Sequence, residues 1–155
     1  MVTEAAEASG AQCERGMQGS RDSANAGGFH LNMRPYKILI VEDDYLIALD
    51  AESALRQAGF EIAGIAANSA AAVEMAHERA PDLVVMDIRL AGTTDGVDTA
   101  IKLARSQIRC IFATSHSDTA TRQRASAASP LGWVAKPYRP EDLVRTVRNA
   151  LQSRD

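Results

Sequence analysis

From Lys37 onward the chain repeats one pattern five times: a short apolar run, then a stretch with helical spacing. The runs are Lys37-Ile-Leu-Ile-Val41, Phe60 to Ala66, Leu83-Val-Val-Met86, Arg109 to Ala113 and Gly132-Trp-Val-Ala135. Each is of strand length, and each is apolar enough to be buried on both faces. The first helical stretch runs from Tyr45 to Ala58, with Leu46, Leu49, Ala51, Ala54 and Leu55 on or near one face and Gly59 closing it. Ser69 can cap a second helix that reaches about Arg79, where Ala80-Pro81 ends it. A third spans Val97 to Ser106, with Asp95 or Gly96 near its cap. A weaker fourth starts at Ser117 or Asp118 and reaches about Ala128. Pro140 opens the last helix, with Glu141 and Asp142 in its first turn and Arg145, Arg148 and Arg154 further along, as the helix dipole favours. Strand–helix alternation of this kind predicts an α/β domain with a parallel sheet covered on both faces and right-handed crossovers.

Residues 1–34 do not share the pattern. They are rich in Ala, Gly, Ser, Gln and Asn, and they show neither strand nor helix periodicity. A segment of that kind buries too little to offset its ordering entropy, so a disordered N-terminal extension is expected, with the folded domain over 35–155. Met33 is an alternative start, which would make the preceding residues an over-long reading of the gene; a functional arm is the other reading. The whole chain has 155 residues and a formal net charge of −3, which argues against a surface built to coat nucleic acid. No run of apolar residues is long enough for a membrane span, and the N-terminus lacks a secretory apolar core. Cys13 and Cys110 are too few for a disulfide framework or a four-ligand zinc site. A cytoplasmic protein with two free thiols is expected.

In an open parallel sheet, ligands bind outside the carboxyl ends of the strands. Strand one is followed by Glu42, Asp43 and Asp44, strand three by Asp87, strand four by Thr114, Ser115 and His116, and strand five by Lys136 and Pro137. Acids, a hydroxyl and an amine therefore converge on one edge. Two carboxylates about 4 Å apart repel by roughly 4 kcal/mol at an effective dielectric of about 20. A divalent cation and Lys136 would relieve that repulsion, and hard oxygen ligands suit Mg²⁺. Acids, a cation, one hydroxyl and one ammonium are arranged to hold a phosphoryl group.

In this order, Ile38-Leu-Ile-Val-Glu-Asp-Asp44, Leu83-Val-Val-Met-Asp87, Thr114 and Lys136-Pro137 resemble the receiver domain of two-component response regulators. The spacings agree as well, and the resemblance covers about residues 36–153. It implies a three-layer, doubly wound (βα)5 domain of flavodoxin-like strand order 2-1-3-4-5. It implies that Asp87 accepts a phosphoryl group from the phosphohistidine of a histidine kinase or phosphotransfer protein. Glu42, Asp43, Asp87 and the backbone carbonyl of Arg89 would hold Mg²⁺. Thr114 and Lys136 would bond phosphoryl oxygens, and the Lys136–Pro137 bond would be cis. Thr114 and the aromatic on strand five, here Trp133, would form the switch; Trp133 as a fixed anchor is the alternative.

The chain departs from the pattern in three places. The loop after Asp87 is one residue longer than usual and lacks the usual proline. Arg89 and His116 stand two residues past Asp87 and Thr114, at positions that the resemblance implies flank the path of the hydrolytic water. Arg89 would shield the phosphoryl group or point to solvent; His116 would contact a partner or simply lie exposed. Phe112-Ala-Thr-Ser115 is similar to a group of single-domain receivers, several of which act in stress-signalling phosphorelays.

Other functions fit less well. An Asp-nucleophile phosphatase needs a second acid two residues after the nucleophile, where this chain has Arg89. A flavin module needs a phosphate loop after strand one, where Glu42, Asp43 and Asp44 would repel the phosphate. A degenerate receiver acting as a phosphorylation-independent scaffold remains an alternative. Direct DNA binding would need an output domain past residue 153. The expectation is a stand-alone signalling phosphoacceptor, not an enzyme on other substrates, with output by protein contact or relay. It would be a monomer or a weak dimer through helix four, strand five and helix five, a face offering Trp133, Arg139, Glu141, Asp142, Arg145 and Arg148.

Overall fold

A computed structural model describes residues 34–115 and 117–153. The extension and the alternative start expected at the N-terminus lie outside the described residues, except for Arg34. Arg34 forks onto both oxygens of Asp82 at 2.9 Å, which holds it against the start of the third strand.

Among the described residues, five strands alternate with five helices: β1 (Lys37–Val41), α1 (Tyr45–Gln57), β2 (Glu61–Ala66), α2 (Ser69–Arg79), β3 (Leu83–Met86), α3 (Gly96–Arg105), β4 (Cys110–Thr114), α4 (Thr119–Ala125), β5 (Trp133–Ala135) and α5 (Pro140–Gln152). A 3-10 turn, Ser126–Ala128, follows α4. The strands form one parallel sheet in the order β2-β1-β3-β4-β5. The three-layer, doubly wound architecture is the one expected.

Side chains alternate across the strands and so feed two cores. Ile38, Ile40, Leu83, Val85 and Ile111 pack with Ala48, Ala51 and Leu55 of α1 and Leu143, Val147 and Ala150 of α5. Leu39, Val41, Val84, Met86 and Phe112 pack on the other face with α2, α3 and Ala125 of α4. Cys110 lies in this second core, and burial pushes its thiol up to about 12. It is the small hydrophobe its sequence context implied.

Besides one-residue shifts at the ends of the first helix, the second strand, the third helix and the fifth strand, the elements differ from the sequence expectations in four details. In α1 the buried stripe is Ala48, Ala51 and Leu55, so Leu46 and Leu49 lie exposed beside Tyr45. Spacing alone admitted a face turned too far toward the larger side chains. α2 is capped by Asn68, whose side chain accepts from the Ala71 amide at 2.8 Å. Ser69 is instead the first helical residue, buried, and its hydroxyl accepts from Thr99 at 2.8 Å. β4 is shifted by one residue, so Thr114 ends the strand rather than following it. α4 is shorter than expected, with Ala125 its one buried residue.

Candidate functional site

Backbone pairing carries the site one rung past each strand. The Glu42 amide donates to Ala66 at 2.9 Å, Asp87 to Val41 at 2.9 Å, and Lys136 to Thr114 at 3.0 Å. These bonds fix the first residue after β1, β3 and β5 as firmly as the strands themselves. Asp44 caps α1 through the amides of Leu46 and Ile47, which starts the helix at once and leaves Glu42 and Asp43 at the sheet edge.

Glu42, Asp43 and Asp87 each bring a carboxylate oxygen within 4.8 Å of the others. Glu42 and Asp87 are buried, and Asp43 is exposed. Lys136 completes the group: its ammonium donates to Glu42 and lies 3.3 Å from Asp87. Glu42 also accepts from the Asp44 amide at 3.1 Å. Burial raises the Glu42 carboxyl to about 7; the Lys136 and Asp44 bonds oppose the rise, and the charge of Asp87 adds to it. Three carboxylates, two of them withdrawn from water and answered by a single ammonium, form a donor set of hard oxygens that fits a divalent cation such as Mg²⁺.

Thr114 is buried at the end of β4, beside β3 in the sheet. The Lys136–Pro137 bond is cis. A cavity of about 890 Å³ opens over the acids, and Arg89, Ser115, Lys136 and Tyr138 share its lining. Arg89 is exposed there. Burial, with the charges of Glu42, Asp50 and Asp87, pushes the Tyr138 phenol up to about 12. Trp133 is half-buried, with its ring 4.8 Å from that of Phe112 and the Arg122 guanidinium 4.4 Å from its centroid. His116 lies outside the described residues.

Gly96 belongs to the site although sequence reasoning saw it only as a cap. Its amide donates to Ile88 at 2.7 Å, closing the loop that leaves Asp87. A Cβ at this position would stand 1.8 Å from the Asp87 carbonyl oxygen. The signal available in sequence was a glycine directly after the capping Asp95, at the point where the loop must return to its start.

Comparison with known proteins agrees with this geometry. The model of the response regulator receiver domain matches residues 38–148. The transcriptional regulatory protein PdtaR of Mycobacterium tuberculosis is 36% identical over 118 residues, covering 76% of this chain and 57% of its own. The phyllosphere-induced regulator PhyR of Methylorubrum extorquens is 32% identical over 118 residues, covering 74% of this chain and 43% of its own. The chain thus spans about half the length of these curated relatives. Among solved structures, the signal receiver domain of a modulated diguanylate cyclase from Desulfovibrio desulfuricans superposes with a TM-score of 0.72 and 36% identity, covering 77% of this chain and 96% of that one. A CheY-like receiver from Methanospirillum hungatei shares the fold with a TM-score of 0.71 and 24% identity, covering 77% and 96%. Family match, strand order and acidic edge coincide: this chain belongs to the response regulator receiver domain family.

Proposed function

We propose that the chain is a Mg²⁺-dependent phosphoacceptor that takes a phosphoryl group on Asp87 from a phosphohistidine. The supporting observation is the meeting of Asp87 with Glu42, Asp43 and Lys136 at the carboxyl edge of the sheet. An Asp87 oxygen attacks phosphorus; the new O–P bond forms as the N–P bond to the imidazole breaks, and the imidazole leaves as a neutral base once protonated. Lys136 would pair with a phosphoryl oxygen, and Thr114 would bond another. Glu42, Asp43, Asp87 and the Arg89 carbonyl would hold Mg²⁺, which would supply neutralising charge as the phosphoryl group is transferred.

Output is proposed to be contact with a protein partner or onward transfer in a relay, in the cytoplasm and without direct contact to DNA. Among the described residues no helix is long and apolar enough to cross a membrane. The face of α4, β5 and α5 is the proposed partner surface. Its arginines are already engaged: Arg145 bonds Asp142, and Arg139 lies 3.7 Å from the same carboxylate. Self-association through them would exchange one set of exposed pairs for another, each worth about 0–1 kcal/mol, so a monomer or a weak dimer is proposed.

The test is incubation with phosphoramidate, followed by intact mass, with Mg²⁺ or with chelator. Gain of one phosphoryl group only with Mg²⁺ supports the reading; no gain under either condition favours a scaffold that works unphosphorylated.

A further inference from the structure

α4 is held mainly by polar contacts. It has seven residues with only Ala125 buried, and so short a helix has little stability of its own. Two arginines fix it to different parts of the molecule. Arg124 donates to both carboxylate oxygens of Asp95 and, at 3.3 Å, to Asp98. Arg122 sets its guanidinium 4.4 Å from the Trp133 centroid, within cation–π range.

Asp95 is more than an ion-pair partner. It caps α3 by accepting from the Asp98 amide at 2.9 Å, and it is the last residue before Gly96, which returns the phosphoacceptor loop to Ile88 at 2.7 Å. Burial works against the Asp95 charge, but Arg124 and the amides of Asp98 and Val97 outweigh it and hold the carboxyl below its usual range. The cap, the loop closure and the tie to α4 therefore meet at a single ionised group. A displacement of the loop at Asp87 has a direct mechanical route through Asp95 and Arg124 to α4, and from there through Arg122 to the indole.

We propose that Arg124 is a positioning residue that ties α4 to the loop after Asp87, so that a phosphoryl group on Asp87 is registered at Trp133 through Arg124 and Arg122. This rests on the phosphoacceptor reading above. It assigns transmission to an arginine on α4 rather than to Thr114 and Trp133 alone.

The experiment adds beryllofluoride with Mg²⁺ to the full chain. ¹⁹F NMR reports occupancy of Asp87, and emission reports on Trp133, the sole tryptophan. Arg124 donates to Asp95 and Asp98, while Arg122 is the residue that meets the indole, so replacing Arg124 spares the arginine beside the reporter. Arg124→Ala is expected to keep the ¹⁹F signal and lose about half or more of the emission change, because the tie is removed. Arg124→Lys, which keeps a cation beside both acids, is expected to recover most of it. Asp98→Asn, which spares the Asp95 cap, is expected to lose a smaller part and serves if Arg124→Ala does not fold. A full emission response in Arg124→Ala, or in Asp98→Asn where that variant stands in, overturns the inference alone. So does a wild type that shows the ¹⁹F signal with a silent Trp133. No ¹⁹F signal from the wild type overturns the phosphoacceptor reading, and the inference with it.

Discussion

The Lys136 ammonium lies 3.3 Å from the Asp87 carboxylate, across the carboxyl ends of β5 and β3, while it donates to Glu42. One cation thus answers two buried acids, and it is the group best placed to take up new negative charge at Asp87. Lys136→Met removes that charge and little volume. Phosphoryl uptake from phosphoramidate is expected to slow on the order of a hundredfold, the scale seen when one preorganised donor is deleted. The time course of intact mass measures it, and an unchanged rate would remove Lys136 from the chemistry.

Glu42 gives the domain a pH-dependent stability of unusual sign for a carboxylate. Its folded value is about 7 against an ordinary 4.5. Between those values the folded chain holds a proton that the unfolded chain has lost. Stability is therefore fully present below about 4.5 and is lost as pH rises through about 7, by on the order of 1–3 kcal/mol. Urea unfolding in chelator across this window is expected to show the decline, and Glu42→Gln is expected to flatten it. Added Mg²⁺ is expected to offset the loss at the alkaline end by binding the folded form.

Gly96 closes the loop by backbone contact too near for any side chain. A Cβ at 1.8 Å from the Asp87 carbonyl oxygen cannot be accommodated without moving the backbone of the proposed phosphoacceptor itself. Gly96→Ala is expected to cost at least about 1–3 kcal/mol, as overpacking does, and to slow phosphorylation as well. Gly92→Ala is the informative contrast. Gly92 also lies in this loop and has a positive φ of 98°, but its Cβ would meet nothing within 4 Å. Its strain is confined to the loop, so phosphorylation is expected to proceed near the wild-type rate.

Arg89 is exposed and lines the same cavity as Asp87. It is proposed to screen the phosphoryl group from the hydrolytic water. The lifetime of phospho-Asp87 is expected to shorten severalfold in Arg89→Ala, read by loss of the phosphorylated mass after the donor is removed. An unchanged lifetime would mean that the side chain serves solvent alone.

The sheet is legible because each strand carries its own apolar run, and the order of acids, hydroxyl and amine along the chain points to the carboxyl edge. Leu46 and Leu49 were misplaced because helical spacing in Tyr45–Gln57 admits two apolar faces, and only packing against α5 selects the alanine-rich one. Asn68 and Ser69 are both good caps, and the choice between them turns on the buried Thr99 hydroxyl, thirty residues away in sequence. Pattern gives Gly96 only as part of a cap and gives Arg124 no role. Their roles arise from contacts with Asp87, Ile88 and Asp95 that exist only once the loop has closed and α4 has docked.

The most direct test of the account is chemical mapping of the phosphoryl group. The chain is treated with phosphoramidate and Mg²⁺, reduced with borohydride, which converts an acyl phosphate to the alcohol, and analysed by peptide mass spectrometry. The expected result is homoserine at position 87 only, absent with chelator and absent from Asp87→Asn. Reduction at Asp43 or Asp44 in place of Asp87, or no reduced residue at all, would contradict the account.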